Sequence, residues 1–210
     1  AITGDIVNLG LRDEYLLALD WLHRLGAPDD VSVVPGNHDA YVPLWKEPGI
    51  GRWNAFMTND GESEHIHASS RTGFPYVRRR GNVVVIGLSS AIPTMPLIAA
   101  GRLGGSQRQR LADILRGLKH ENLFRVILIH HPPVQLAGNW VRGLRDSNEL
   151  RLILRDYGAD LVLHGHDHDH SIRRIKGPDG FIPVVGIPSA SVVTHPHKPL
   201  ARYNVYEITR

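Results

Sequence analysis

Arg125-Val126-Ile127-Leu128-Ile129-His130-His131-Pro132-Pro133 is the stretch on which the reading of this chain turns. A short apolar run describes a buried strand, and a pair of imidazoles stands where it ends. Two prolines then fix the exit of the chain, because proline locks φ and lacks an N–H. Adjacent side chains on a strand point to opposite faces, so one imidazole faces a site and its neighbour faces away. The same arrangement recurs three times. Ile2-Thr3 runs into Gly4-Asp5, Val31-Ser32-Val33-Val34 into Gly36-Asn37-His38-Asp39, and Asp160-Leu161-Val162-Leu163 into Gly165-His166-Asp167-His168. Carboxylate, amide oxygen and imidazole therefore recur at strand ends, which is where open α/β sheets bind ligands.

Working outward, the first half of the chain alternates strand and helix, and the second half ends in β-hairpins. Glu14 to Leu25 carries Leu16, Leu17, Leu19, Leu22 and Leu25 near helical spacing, with Gly26 as its stop. Pro75 to Arg79 and Asn82 to Leu88 read as a strand pair turning at Arg80-Gly81. Ser106 to Leu118 reads as a helix opened by a Ser106-x-x-Gln109 capping box, and Asp146 to Tyr157 as another opened by Asp146-x-x-Glu149. From Ser171 onward the pattern changes to β runs: Ser171 to Lys176, Phe181 to Gly186, Ser191 to Thr194 and Arg202 to Ile208. The expected class is α/β, a mixed sheet or two packed sheets with helices outside, in a single domain over residues 1–210. Ala40 to Arg71 lacks periodicity and reads as a long excursion over the site, with a short helix near Arg52 to Asn59.

Composition narrows the chemistry. The chain has 210 residues, no cysteine and 13 histidines, so disulfides and thiolate metal sites are excluded while imidazole is abundant. No apolar run approaches the roughly 20 residues that span a bilayer, and no signal-peptide pattern is visible. The net charge of +3 favours small anionic partners. No basic stripe with interleaved aromatics appears, so nucleic acid is not expected as the principal partner.

Each motif offers a specific function beside a structural one. Asp5 is placed to bridge cations or to cap a backbone N–H. In the Gly36–Asp39 motif, Asn37 offers a neutral oxygen and His38 a proton, and Asp39 is placed to orient the His38 imidazole; the alternative is a polar turn. His166 and His168 stand two residues apart, on one side of an extended segment, within reach of one metal or two adjacent ones. Asp167 and Asp169 are candidates to fix their tautomers, and His164 and His170 read as structural or solvated. Arg78-Arg79-Arg80 reads as a solvated face at a hairpin. Trp45, Trp53 and Phe56 read as a small core of the loop rather than a surface for a base or an acyl chain.

At these motifs the chain resembles the calcineurin-like metallophosphoesterase family. The His-His-Pro-Pro and Gly-Asn-His-Asp versions are most similar to its cyclic-nucleotide and glycerophosphodiester branch. The resemblance implies a four-layer αββα sandwich of two mixed sheets with a two-metal site at the strand ends. It implies that Asp5 bridges the metals, that Asn37, His130 and His166 complete one, and that His168 serves the other. His38 would contact phosphate or protonate the leaving group, supported by Asp39, with Asn37 and His38 also meeting substrate. His131 takes no ligand role. The family's first motif, Asp-x-His on a first strand, has no counterpart ahead of Asp5, so the domain is expected to be N-terminally incomplete.

A phosphodiester is anionic and repels hydroxide, so cations must neutralise its oxygens and supply hydroxide near neutral pH; Mn, Fe or Zn are the expected occupants. The implied function is a cytoplasmic, metal-dependent phosphodiesterase acting by in-line attack on a cyclic nucleotide or a similar small phosphodiester, with homodimerisation left open. The rivals are a phosphomonoesterase or nucleotide-sugar pyrophosphatase of the same fold, a nuclease, and a non-catalytic interaction scaffold.

Overall fold

The structure is a computed structural model that describes residues 1–41, 48–61, 73–95, 97–134, 140–192 and 200–209. Its centre is a six-stranded sheet in the order β1-β2-β3-β4-β6-β5. The strands are β1 (Tyr76–Arg80), β2 (Val83–Gly87), β3 (Phe124–Leu128), β4 (Leu161–His164), β5 (Ser171–Gly177) and β6 (Gly180–Gly186). β2, β3, β4 and β6 run parallel, while β1 and β5 close the two edges as antiparallel hairpin partners. The mixed α/β character expected from the alternation is present, and the parallel strands bring the exits of β3 and β4 side by side.

Alternation along the strands sends side chains into two cores. On one face Val84, Ile86, Ile127, Val162 and Val184 meet Leu111, Ile114 and Leu115 of α2 (Gly105–Gly117) and Leu150 and Leu154 of α3 (Ser147–Tyr157). On the other face Tyr76 and Leu128 meet Tyr15 and Leu22 of α1 (Arg12–Leu25), together with Val33, Val34, Trp53 and Phe56. Each such fully buried side chain contributes roughly 1.5–3 kcal/mol. Between α1 and the sheet lies a second β layer. Among the described residues it consists of a parallel bridge, Ile2 to Val33, closed by the Ile2 N–H to the Ser32 carbonyl at 2.8 Å and the Val34 N–H to the Ile2 carbonyl at 3.1 Å. That bridge carries Gly4-Asp5 and Gly36-Asn37 to the same edge as the exits of β3 and β4.

Several local expectations are corrected. Leu17 and Leu25 of α1 are more than half exposed, because Tyr15, Ala18 and Leu22 form its buried face. α2 is capped at Gly104, so Ser106 lies inside the helix and makes no cap; the Asp146 carboxylate instead takes the Leu103 and Gly104 N–H groups at 3.0 and 2.9 Å. The predicted short helix is a 3-10 stretch, Gly49–Phe56, and its Trp53 and Phe56 are fully buried in the second core, closed to substrate. Trp45 lies outside the described residues.

Arg78 is not solvated. The residue is 2% exposed, and its guanidinium donates to the Pro28, Val31, Ala55 and Thr58 carbonyls, with Nη1 on the first two, Nη2 on Ala55 and Nε on Thr58. Residues 202–208 carry no strand pairing among the described residues, and Tyr203 and Val205 are exposed. Ser191 is likewise outside any strand, and Thr194 lies outside the described residues. A β-prone sequence becomes a strand only where a neighbour offers a ladder. No described helix is long and apolar enough to cross a membrane.

Candidate metal centre

Two loops meet at the sheet edge with their backbones in contact. A Cβ on Gly36 would strike the Asp5 carboxylate, and one on Gly4 would strike the Gly36 backbone. Gly4 and Asp5 both have positive φ, 94° and 56°. For Asp5 that left-handed conformation costs on the order of 1 kcal/mol and needs an external hold. Asp39 provides it: its carboxylate accepts the Asp5, Ile6, Val7 and Gly36 N–H groups at 2.8, 2.9, 3.0 and 2.8 Å. Asp39 thus ties the two loops together, and the expectation that it orients the His38 imidazole is corrected. His38 Nδ1 instead lies 2.7 Å from the Asn8 carbonyl, which can only accept, so Nδ1 carries the proton.

Four donor atoms converge beyond these loops. His130 Nδ1 donates to the Thr3 carbonyl at 2.6 Å, which turns Nε2 toward Asn37 Oδ1 (3.2 Å), His166 Nδ1 (3.2 Å) and Asp5 Oδ2 (3.3 Å). Asn37 Oδ1 lies 3.1 Å from His166 Nδ1. The other Asp5 oxygen accepts the His38 N–H at 3.0 Å. Asn37 and His130 are each 1% exposed and His166 6%, so these groups face one another rather than water. The spacing suits a cation. With metal–ligand bonds of about 2.1 Å, neighbouring donors sit about 3.0 Å apart in octahedral and about 3.4 Å apart in tetrahedral coordination. One carboxylate, one amide oxygen and two imidazoles form a borderline set suited to Mn, Fe or Zn.

His131 lies close by: the imidazole nitrogens of His130, His131 and His166 fall within 4.8 Å of one another, and this trio does not include His168. Both His131 nitrogens are nevertheless engaged. Nε2 donates to the Ala99 carbonyl at 3.0 Å and Nδ1 accepts the Ser90 hydroxyl at 2.7 Å. His131 therefore packs the ligand rings in place. His168 is exposed, and the segment that carries it is not extended. His166 and His168 both adopt left-handed φ, 69° and 55°, so the two-residue spacing does not put both rings on one side as a strand would. Thr3, Asn8, Ser90 and Tyr41 also shape the site; Thr3 and Asn8 act through backbone carbonyls, which no side-chain motif announces.

Electrostatics follow from burial and from the charges packed together. Burial pushes the Asp5 carboxyl up, but the hydrogen bond and charge of His130 overcome it and bring the value down to about 2. Burial alone would lower His130, yet Asp5 holds it above its ordinary value. Burial, then the His130 charge, brings His166 down to about 4, and the same two causes together with His166 leave His131 neutral. Burial raises Asp39 to about 6 against the N–H groups that favour its charged form. The metal-free site thus holds one proton between Asp5 and His130, in the region where a cation would supply the positive charge.

Comparison with known proteins agrees with this arrangement. A probable cyclic nucleotide phosphodiesterase of Synechococcus sp. (strain WH7803) is 35% identical over 103 residues, which are 48% of this chain and 38% of that protein. The chain therefore spans well under half the length of that relative. A crystal structure of a dimetal phosphatase from Danio rerio superposes with a TM-score of 0.56 at 18% identity, covering 89% of this chain and 71% of the other, a likeness of fold. The model of the calcineurin-like phosphoesterase family matches residues 1–170 and takes in every motif described above. With most of its length matched, the chain belongs to the calcineurin-like phosphoesterase family.

Proposed function

We propose that this protein is a metal-dependent hydrolase of small phosphodiesters, cyclic nucleotides among them. The observation that carries the reading is the convergence of Asp5 Oδ2, Asn37 Oδ1, His130 Nε2 and His166 Nδ1 at 3.1–3.3 Å from one another along the measured edges. These residues would hold one cation, and among the described residues Asp5 and His168 would be the contributions to a second. Bound divalent cations supply Lewis acidity at phosphoryl oxygens and an activated water near neutral pH.

The remaining work belongs to the chain itself. Asn37 is neutral, so it orients without adding charge that would repel an anionic ester. His38 keeps its Nδ1 proton on the Asn8 carbonyl. That leaves Nε2, on a partly exposed residue, as the atom that delivers a proton to the departing oxygen when the ring carries a second proton. Asp39 holds the Asp5 loop in its left-handed turn and so fixes where the Asp5 carboxylate points. The name of the Synechococcus relative supports a cyclic nucleotide over a monoester as substrate.

The protein loaded with Mn(II) is expected to hydrolyse 3′,5′-cyclic AMP or bis(p-nitrophenyl) phosphate. If both remain intact while the protein retains metal, the phosphodiesterase reading fails. If no metal is retained under replete conditions, the enzyme reading fails and the scaffold takes its place.

A further inference from the structure

Tyr41 was not marked by any motif, yet it touches Asn37 and His38 of the turn before it. His38–Ala40 form a single 3-10 turn flanked by Asn37 and Tyr41, all in right-handed helical conformation. Residues three and four apart on such a turn are neighbours, so Tyr41 lies over His38 and Asn37 together. Its hydroxyl accepts a hydrogen bond from Asn37 Nδ2 at 3.3 Å, and its ring packs on the His38 imidazole with centroids 4.8 Å apart.

An asparagine amide has a donor edge and an acceptor edge, and only the oxygen can ligate a cation. Turned the other way, Asn37 would present an NH2 group to His130 and His166 and block the site. The Tyr41 hydroxyl faces the amide from the opposite side and engages the nitrogen, while Oδ1 lies 3.2 Å from His130 Nε2 and 3.1 Å from His166 Nδ1. We infer that Tyr41 is a positioning residue that anchors the Asn37 amide through its nitrogen, in the place from which the oxygen faces the cation, and steadies the His38 ring. This rests on the metal-centre reading above and adds to it a residue that acts through a ligand.

The test is Zn(II) affinity, measured by competition with a chromophoric chelator, in Tyr41→Phe and in the same change on an Asn37→Asp background. Tyr41→Phe keeps the ring and removes only the hydroxyl. Loss of a group that orients a ligand weakens metal binding by about 10–100-fold, and the lower end is expected here. A carboxylate at position 37 is drawn to the cation by its own charge and presents oxygen at either edge, so in Asn37→Asp the Tyr41→Phe change should alter affinity by less than about 3-fold.

The melting temperature of the metal-free chain separates a merely structural role, which would lower it and leave affinity alone. Unchanged affinity in Tyr41→Phe, or equal losses in both backgrounds, overturns the assignment of Tyr41 while leaving the metal centre standing. Failure of the unmodified protein to bind Zn(II) overturns the metal centre, and this inference with it.

Discussion

Replacing Arg78 by methionine keeps most of the aliphatic volume of the side chain and removes its guanidinium. In the folded protein that group serves the Pro28, Val31, Ala55 and Thr58 carbonyls at 2.6, 2.9, 2.9 and 2.9 Å, from a side chain that is 2% exposed. Hydrogen bonds to charged groups are worth about 1.5–3 kcal/mol each, and neutral ones about 1. Relief from burying the charge offsets part of the loss, so the lower figure is appropriate, and four bonds give about 4 kcal/mol. That is a large share of the roughly 5–15 kcal/mol that holds a domain together.

In urea, with a slope of about 3 kcal/mol/M for a chain of this size, the midpoint should fall by about 1.3 M. Arg78→Lys, which retains charge and up to three donors, should fall by about half as much. The same change should weaken metal binding, since Val31 leads directly through Val33 and Val34 to Gly36 and Asn37. A midpoint for Arg78→Met within about 0.3 M of the unmodified protein would refute the view that this guanidinium staples the second layer to β1.

Two groups make the metal-free chain less stable in acid, and Asp39 offsets the first of them. His166 sits at about 4 when folded, below its ordinary 6.5, so between those values the unfolded chain takes up a proton that the folded one refuses, and about 3 kcal/mol is lost as pH falls through that window. Asp5, at about 2 against 3.8, adds a further loss of about 2 kcal/mol as pH drops below 3.8. His130 has the opposite sign: its raised value gives stability that is present below 6.5 and lost as pH rises through its folded value. Asp39, raised to about 6, has the same sign as His130 and gains about 3 kcal/mol as pH falls from 6 to 3.8, which offsets the His166 loss over most of its window. Denaturation midpoints from pH 8 to 2 check these signs. His166→Asn, which removes the loss and leaves the Asp39 gain, should become more stable relative to the unmodified protein as pH falls from 6.5 to 4, and an unchanged difference there would contradict the His166 assignment. Asp39→Asn turns an NH2 group onto two of the four backbone N–H groups it now serves; Zn(II) affinity should fall by at least 10-fold, and an unchanged titration would remove Asp39 as the brace. His38→Ala should lower kcat by 10²–10⁴ on 3′,5′-cyclic AMP, whose alkoxide needs a proton, and much less on bis(p-nitrophenyl) phosphate, whose leaving group does not. Equal losses on both would exclude His38 as the proton donor.

The strands and the convergence of motifs were legible because apolar runs ending in Gly, Asn, His and Asp report both burial and the place where burial stops. Asp5, Asn37, His130 and His166 sit on four separate runs, and parallel pairing brings the ends of those runs together. What stayed hidden depends on contacts that a linear pattern does not encode. Arg78 looks like part of a charged hairpin until residues 28–31 and 55–58 are seen to present carbonyls to it. Asp39 follows His38 directly, which invited a His–Asp pairing, but a turn sends the two side chains in different directions. His168 was read by strand alternation, and the left-handed backbone at His166 and His168 breaks that rule. Tyr41 carries no metal-binding chemistry of its own, and only its place one turn beyond Asn37 marks it.

The most direct test of the central claim is an anomalous-difference map from crystals of the protein grown with Zn(II). A peak about 2.0–2.2 Å from Asp5 Oδ2, Asn37 Oδ1, His130 Nε2 and His166 Nδ1 is the predicted result. A peak that engages His131 in place of Asn37, or no peak among these four atoms at full Zn(II) loading, would contradict it.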